Sequence, residues 1–183
     1  ALHYGTLYVG DGWGGADADV VRFLRGQTIY GGAGGNHIVI RNSGLLDLNG
    51  YTDDIGPVDM DGGHLTTGAG KVQLFSPLTT YQSSATNIAP TISGKLELIE
   101  NTIITTTNNL YVAAAISSSG AYTLTKDGPY AVFFSGSNSY TGLTLVRDGW
   151  LEAETAYALG TTNSGTVVTN RGILSLYGNF GIT

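Results

Sequence analysis

The 183-residue chain contains no cysteine, which excludes disulfides, thiolate metal sites and a cysteine nucleophile. Charge is scarce, at 12% of residues, about half the usual share. The 8 basic and 14 acidic residues give a net charge of −6, and no basic run interrupts the chain. Nucleic acid and anionic membrane surfaces both select positive patches, so neither is an expected partner. Long apolar runs are missing as well. The longest, Val112 to Ile116, falls far short of the ~20 residues a spanning helix needs, and no membrane insertion is expected. The first residue is Ala rather than Met and no cleavable signal follows, as expected of a processed product or a piece of a longer chain.

Helical patterning is nearly absent. Ala, Leu, Glu, Lys and Arg at a 3.6 period are broken by Gly, Thr, Ser and Asn every few positions. The one stretch of helical composition, Leu151 to Leu159, would be stopped by Gly160 after two turns.

What the chain has instead is 28 Gly, 11 Tyr and 42% hydrophobic residues, too apolar for a disordered segment and long enough for one domain with a full core. Short alternating runs rich in β-branched residues recur between Gly, Asn and Asp: Ile38-Val39-Ile40, Ile103-Ile104, Leu143-Thr144-Leu145-Val146 and Thr166-Val167-Val168. They predict many brief strands. A Gly-x-Leu-x-apolar signature begins at Gly5, Gly44, Gly94, Gly149 and Gly172, with weaker copies at Gly63 and Gly70. The intervals approximate one or two multiples of a period of about 20 to 25 residues, the range of solenoids. Within each copy the alternation points Leu7 and Val9, or Leu46 and Leu48, to one side. Glycine before each strand would permit the positive φ of a sharp corner, and Thr and Asn suit stacking in register on neighbouring coils. Asp-Gly and Asn-Gly pairs keep a sandwich or closed barrel as the structural competitor, but uneven spacing and short strands favour a parallel coil.

From Leu124 the chain reads Leu124-Thr125-Lys126-Asp127-Gly128, then Val132-Phe133-Phe134-Ser135-Gly136-Ser137-Asn138-Ser139-Tyr140-Thr141-Gly142, then Thr144-Leu145-Val146-Arg147-Asp148-Gly149-Trp150-Leu151. This resembles the autotransporter-associated β-strand repeat, or passenger-associated transport repeat, of pattern LTKxGxGxLxLSGxNxYxGxTxVxxGxL. Similar coils extend over residues 43–176, while 1–42 matches more loosely. Tyr130 and Leu143 stand where the family has glycine, either as outward contacts or as drift at tolerant turns. The resemblance implies a single all-β domain over 1–183, a right-handed parallel β-helix (β-solenoid) of about seven to nine coils, in a secreted or surface-displayed bacterial protein. The absence of cysteine and the sparse lysine agree with an exported setting. Such proteins sometimes carry a membrane barrel, whose long alternating strands are not recognisable here.

Asp53, Asp54, Asp59 and Asp61, with His64 near, are the only carboxylate cluster suited to glycosidic cleavage, which needs a pair about 5 to 10 Å apart on one face. Turn chemistry accounts for the same aspartates. Gly10 to Asp19 partly matches a calcium-binding nonapeptide, but that site needs tandem copies and only one is present, so a loop with Trp13 at its tip is the expectation. No helix follows to make these glycines a phosphate cradle. His3, His37 and His64 lack metal-ligand spacing, and no Gly-x-Ser-x-Gly elbow occurs. No catalytic, cofactor-binding or metal site is therefore assigned. Tyr140 belongs to the repeat motif and is expected to be structural. Tyr4, Tyr8, Tyr30, Tyr51, Tyr130, Tyr177, Trp13 and Trp150 divide between contact surface and aromatic ladders.

Neither the entry at Gly5-Thr6-Leu7 nor the exit at Ile173-Leu174-Ser175-Leu176 carries a recognisable cap. Exposed coil ends adhere, so either the chain continues or identical copies stack end to end. The first expectation is a non-catalytic extracellular stalk or filament segment whose partners are identical subunits or neighbouring repeats. The second is an adhesin module binding a surface protein or glycan along its flank, and the third a polysaccharide-active enzyme.

Overall fold

The computed structural model describes residues 5–32, 35–82 and 88–178, with Asn170 as backbone only. Among these residues every strand pairing is parallel. The fold is a β-solenoid, and the sandwich or barrel with hairpin pairing is ruled out. Three faces make each coil. The first carries β1 (Thr6–Val9), the start of β3 (His37–Asp47) and of β5 (Val58–Thr66), β7 (Leu78–Thr80), β10 (Thr102–Thr106), β13 (Leu124–Asp127), and the start of β15 (Thr144–Ala153) and of β16 (Thr166–Leu176). The second carries β2 (Asp19–Arg22), the ends of β3 and β5, β8 (Thr91–Ser93), β11 (Leu110–Val112), β14 (Ala131–Phe134), and the ends of β15 and β16. A four-stranded sheet of β4 (Asp53–Ile55), β6 (Val72–Leu74), β9 (Lys95–Leu98) and β12 (Ala115–Ser118) forms the third.

Register turns the alternation of each strand into columns. On the first face Leu7, Ile38, Val58, Leu78, Ile104, Lys126, Val146 and Val168 lie one above another. Eight levels enclose seven turns, a rod about 34 Å long at ~4.8 Å per level. On the second face the column is Val21, Leu46, Leu65, Ile92, Val112, Phe134, Ala153 and Leu176. Ile55, Leu74 and Leu98 do the same on the third. The three columns meet in one core, and all but the end members are nearly fully buried.

The Gly-x-Leu copies fall on different faces. Gly5 opens a strand of the first, Gly44, Gly63, Gly149 and Gly172 lie on the second, and Gly70 and Gly94 precede strands of the third. That distribution explains their uneven spacing. Two expectations need correction. First, not all strands are brief: β3 and β16 have 11 residues, β15 has 10 and β5 has 9. They continue through the corner between the first and second faces, where register shifts at Asn42/Leu45 and Val146/Asp148 take up the bend. Second, corner glycines serve close approach more than dihedral freedom. A methyl on Gly44 would lie 2.2 Å from the Val9 carbonyl oxygen, and one on Gly172 2.3 Å from that of Val146. Coil-on-coil contact, not φ, demands glycine there. Residues 151–159 form no helix: β15 runs to Ala153 and turns follow.

Threonine and asparagine do fill inward and corner positions, but they bond to backbone rather than to one another. Thr80 and Thr106 are successive column members, and their hydroxyls donate to the carbonyls of Asn108 (2.6 Å) and Tyr130 (2.9 Å). Asn138 supplies a side-chain rung on the irregular part of the third face: its amide oxygen accepts from Ile116 N–H at 2.8 Å and its amide donates to Ala158 O at 2.6 Å. Gly44→Ala is expected to cost about 1–3 kcal/mol through overpacking against Val9. The check is a lower urea midpoint at unchanged m-value; an unmoved midpoint would contradict so close an approach.

Candidate interaction surfaces

The structure separates the carboxylates that the sequence clusters. Asp53 begins β4 and points inward at the foot of the third face, in the column continued by Val72 and Leu96. Its oxygens accept from the backbone N–H groups of Thr28 (2.5 Å), Ile29 (3.1 Å) and Asp54 (3.1 Å). The carboxylate thereby takes the place of a strand partner for residues 28–29. Burial pushes its pKa up, against the pull of the three donors. Asp54 alternates to the outside of the same strand. Asp59 lies on the first face and pairs with His37 Nε2 at 3.0 Å, and Asp61 is buried at the corner beyond it. The four are thus divided between two sheets, with Asp53 occupied by backbone. Beside Asp59 and Asp61, burial and then those two negative charges raise the Tyr81 pKa.

The glycine-rich segment 10–19 folds back over the second and third levels. Asp19 accepts from the Ser43 hydroxyl at 2.7 Å and from Asp11 N–H at 3.1 Å, contacts that hold its pKa below the ordinary range. Gly12 N–H donates to Ser43 Oγ (2.9 Å), Trp13 N–H to Asp11 Oδ1 (2.8 Å), and His64 Nδ1 meets Asp17 at 2.7 Å. The aspartates of the expected loop therefore serve separate local bonds, and Trp13 stands 80% exposed. Among the described residues no group of three or more His, Asp or Glu side chains could hold a metal ion. No helix there is long and apolar enough to cross a membrane.

Sequence reasoning missed the chemistry of Lys126. It is the one charged residue in the first-face column, between Ile104 and Val146, and it is nearly fully buried. Its ammonium donates to the carbonyls of Gly128 (2.7 Å), Asp148 (2.8 Å) and Asp127 (2.9 Å), joining the corners of two coils. Three donors meet three acceptors. Outside the same corner, Arg147 reaches Asp127 at 3.3 Å and Arg171 reaches Asp148 at 3.5 Å, so each arginine pairs with the aspartate one coil before it. Only the alternation of Lys126 within its strand signalled an inward side chain.

Aromatics divide as their positions dictate. Tyr140 is fully buried, its hydroxyl 2.6 Å from Thr144 Oγ1, and burial pushes its pKa up to about 12. Tyr111 and Phe133 stack on the second face at 4.6 Å between ring centroids and 7° between planes. Trp150, with Ile173 above it, and Tyr130 at the corner extend this into an exposed apolar patch on the upper coils. Tyr8 lies outward under the Arg41 guanidinium, 5.3 Å from its ring centre. Leu143 is half-buried, and its carbonyl accepts from Leu124 N–H at 2.8 Å. His3 and Tyr4 lie outside the described residues.

The end levels differ from the middle. At the upper end Val168 and Leu176, inward by register, are 44% and 50% exposed. A cavity of about 410 Å³ opens there between Leu159, Thr161, Gly165, Thr166, Leu174 and Leu176. At the lower end about 420 Å³ is lined by Leu7, Val21, Phe23, Leu24 and Ile29, with Leu24 82% exposed. No family model, curated protein or solved structure matches the chain.

The two displaced pKa values define an alkaline stability profile. Burial lowers Lys126 from 10.5 to about 8, while Asp148 and Asp127 pull upward. Between those values the unfolded chain binds the extra proton, so stability rises with pH. Tyr140 acts oppositely: its pKa goes from 10.0 to about 12, so above pH 10 the unfolded chain loses its proton first and stability falls. Urea titrations of Lys126→Met are expected to lack the rise above pH 8 and keep the fall above pH 10. An unchanged profile would contradict the assignment.

Proposed function

We propose that this chain is a non-catalytic structural element, a segment of an extracellular β-solenoid stalk or filament on a bacterial surface, joined through its end coils to further coils. The observation that carries this reading is the half-exposed core at the end levels, where Val168 and Leu176 continue buried columns into open space. Unpaired strand edges above an apolar core are adhesive. The resemblance of residues 43–176 to passenger-type repeats and the lack of cysteine support an exported setting. The division of Asp53, Asp54, Asp59 and Asp61 between two sheets supports leaving catalysis out. Sedimentation velocity on the purified chain is expected to show mass growing with concentration, with negative-stain rods in steps of about 34 to 40 Å. A concentration-independent monomer would remove the reading.

The aromatic patch of Tyr111, Phe133, Trp150 and Tyr130 supports a second reading, an adhesin flank that holds a host protein or glycan. Aromatic rings are favoured interface anchors. Trp150→Ser with Tyr130→Ser is expected to reduce retention on immobilised host glycans or host proteins at least tenfold while leaving assembly unchanged. Equal retention by the variant would count against it.

A further inference from the structure

We propose that the partner at each open end is a second copy of this chain, joined head to tail so that Val168 stacks on Leu7 and Leu176 on Val21 of the next copy. This rests on the end-to-end reading above and adds the partner, the polarity and the register. Three observations lead to it.

The first is steric. Leu7 and Val168 are the two ends of one inward column, and Val21 and Leu176 are the two ends of another. A copy displaced by one more coil step therefore continues both columns together. The apolar hollows at the two ends are alike in size, about 420 and 410 Å³.

The second is charge. At the corner between the first and second faces, the lower end carries Asp11, Asp17 and Asp19 within nine residues, with no Lys or Arg among them. The upper end carries Arg147 and Arg171 on its last two levels, and the Arg171 side chain is 74% exposed. Inside the molecule this corner already builds an axial series in which each arginine meets an aspartate of the adjacent coil, Asp127 with Arg147 and Asp148 with Arg171. A copy above would bring its acidic corner over Arg171 and extend that series.

The third is strand direction. Head-to-tail stacking keeps β16 parallel to the incoming β1 and β2, as in every pairing within the molecule. Turning one copy over would set Arg171 against Arg171, or one acidic corner against another, and like charges at a junction disfavour that arrangement. A heterologous contact of this kind does not close and so extends.

The test uses the full chain with one end blocked at a time. Leu176→Glu places a carboxylate at the upper end, where the side chain is already half exposed, and Val21→Glu does so at the lower end. Each variant alone is expected to sediment as a monomer. Their equimolar mixture retains one intact upper end and one intact lower end, and should form a discrete dimer and nothing larger. Dimers of either variant alone would overturn the head-to-tail polarity while leaving end-to-end assembly standing; a wild-type chain that never assembles would overturn that underlying reading. Because a buried glutamate can perturb folding, a surface pair checks independently. Arg171→Glu should weaken wild-type assembly at least tenfold, and adding Asp11→Lys in the same chain should restore it. Failure of that rescue would overturn the register.

Discussion

Backbone amides that pair from each coil to the next, about 4.8 Å apart, constrain every side chain in this molecule. A parallel ladder held in register leaves no freedom over who sits above whom. One inward residue implies a column, and a column tolerates a misfit only if that residue brings its own partners. The polar members obey this rule. Lys126 interrupts seven aliphatic positions and meets three carbonyls. Asp53 lies below Val72 and accepts from three amides. Asn138 bridges Ile116 and Ala158, where the third face has no regular strand. Each satisfies backbone that the coil would otherwise leave bare.

The same constraint decides how much could be read from residues alone. Alternation and β-branched runs revealed strands, and the recurring Gly-x-Leu revealed that they repeat, because both follow from neighbours a few positions apart. The uneven intervals concealed the three faces: Gly44 and Gly94 announce strands of different sheets, and nothing local distinguishes them. Gly44 and Gly172 looked like turn residues but are bare because a carbonyl of the coil below comes within van der Waals reach. That neighbour is more than 25 positions away in both cases, beyond any local pattern. Lys126 was concealed for the same reason, since one of its three acceptors, Asp148, belongs to another coil.

The surface was harder to read than the core. Asp53, Asp54, Asp59 and Asp61 are crowded in sequence, yet the fold sends them inward, outward and across to another sheet. The aspartates of the 10–19 loop looked like a ligand set and instead fasten that loop to Ser43 and His64. Conversely, the Asp127–Arg147 and Asp148–Arg171 pairs join residues about one coil apart and had no local signature. In a molecule this poor in charge, most of the ion pairs join one coil to a neighbour.

Because the rungs between coils point along the rod, a lengthwise pull loads them in tension one level at a time rather than in shear across many at once. The least supported turn yields first and frees its chain before the next is stressed. A turn of 20 to 22 residues, the commonest separation between column members here, would pay out about 70 Å of extended polypeptide. Stretched from its two ends, the solenoid should therefore lengthen in a sawtooth, dissipating force as a succession of small yields.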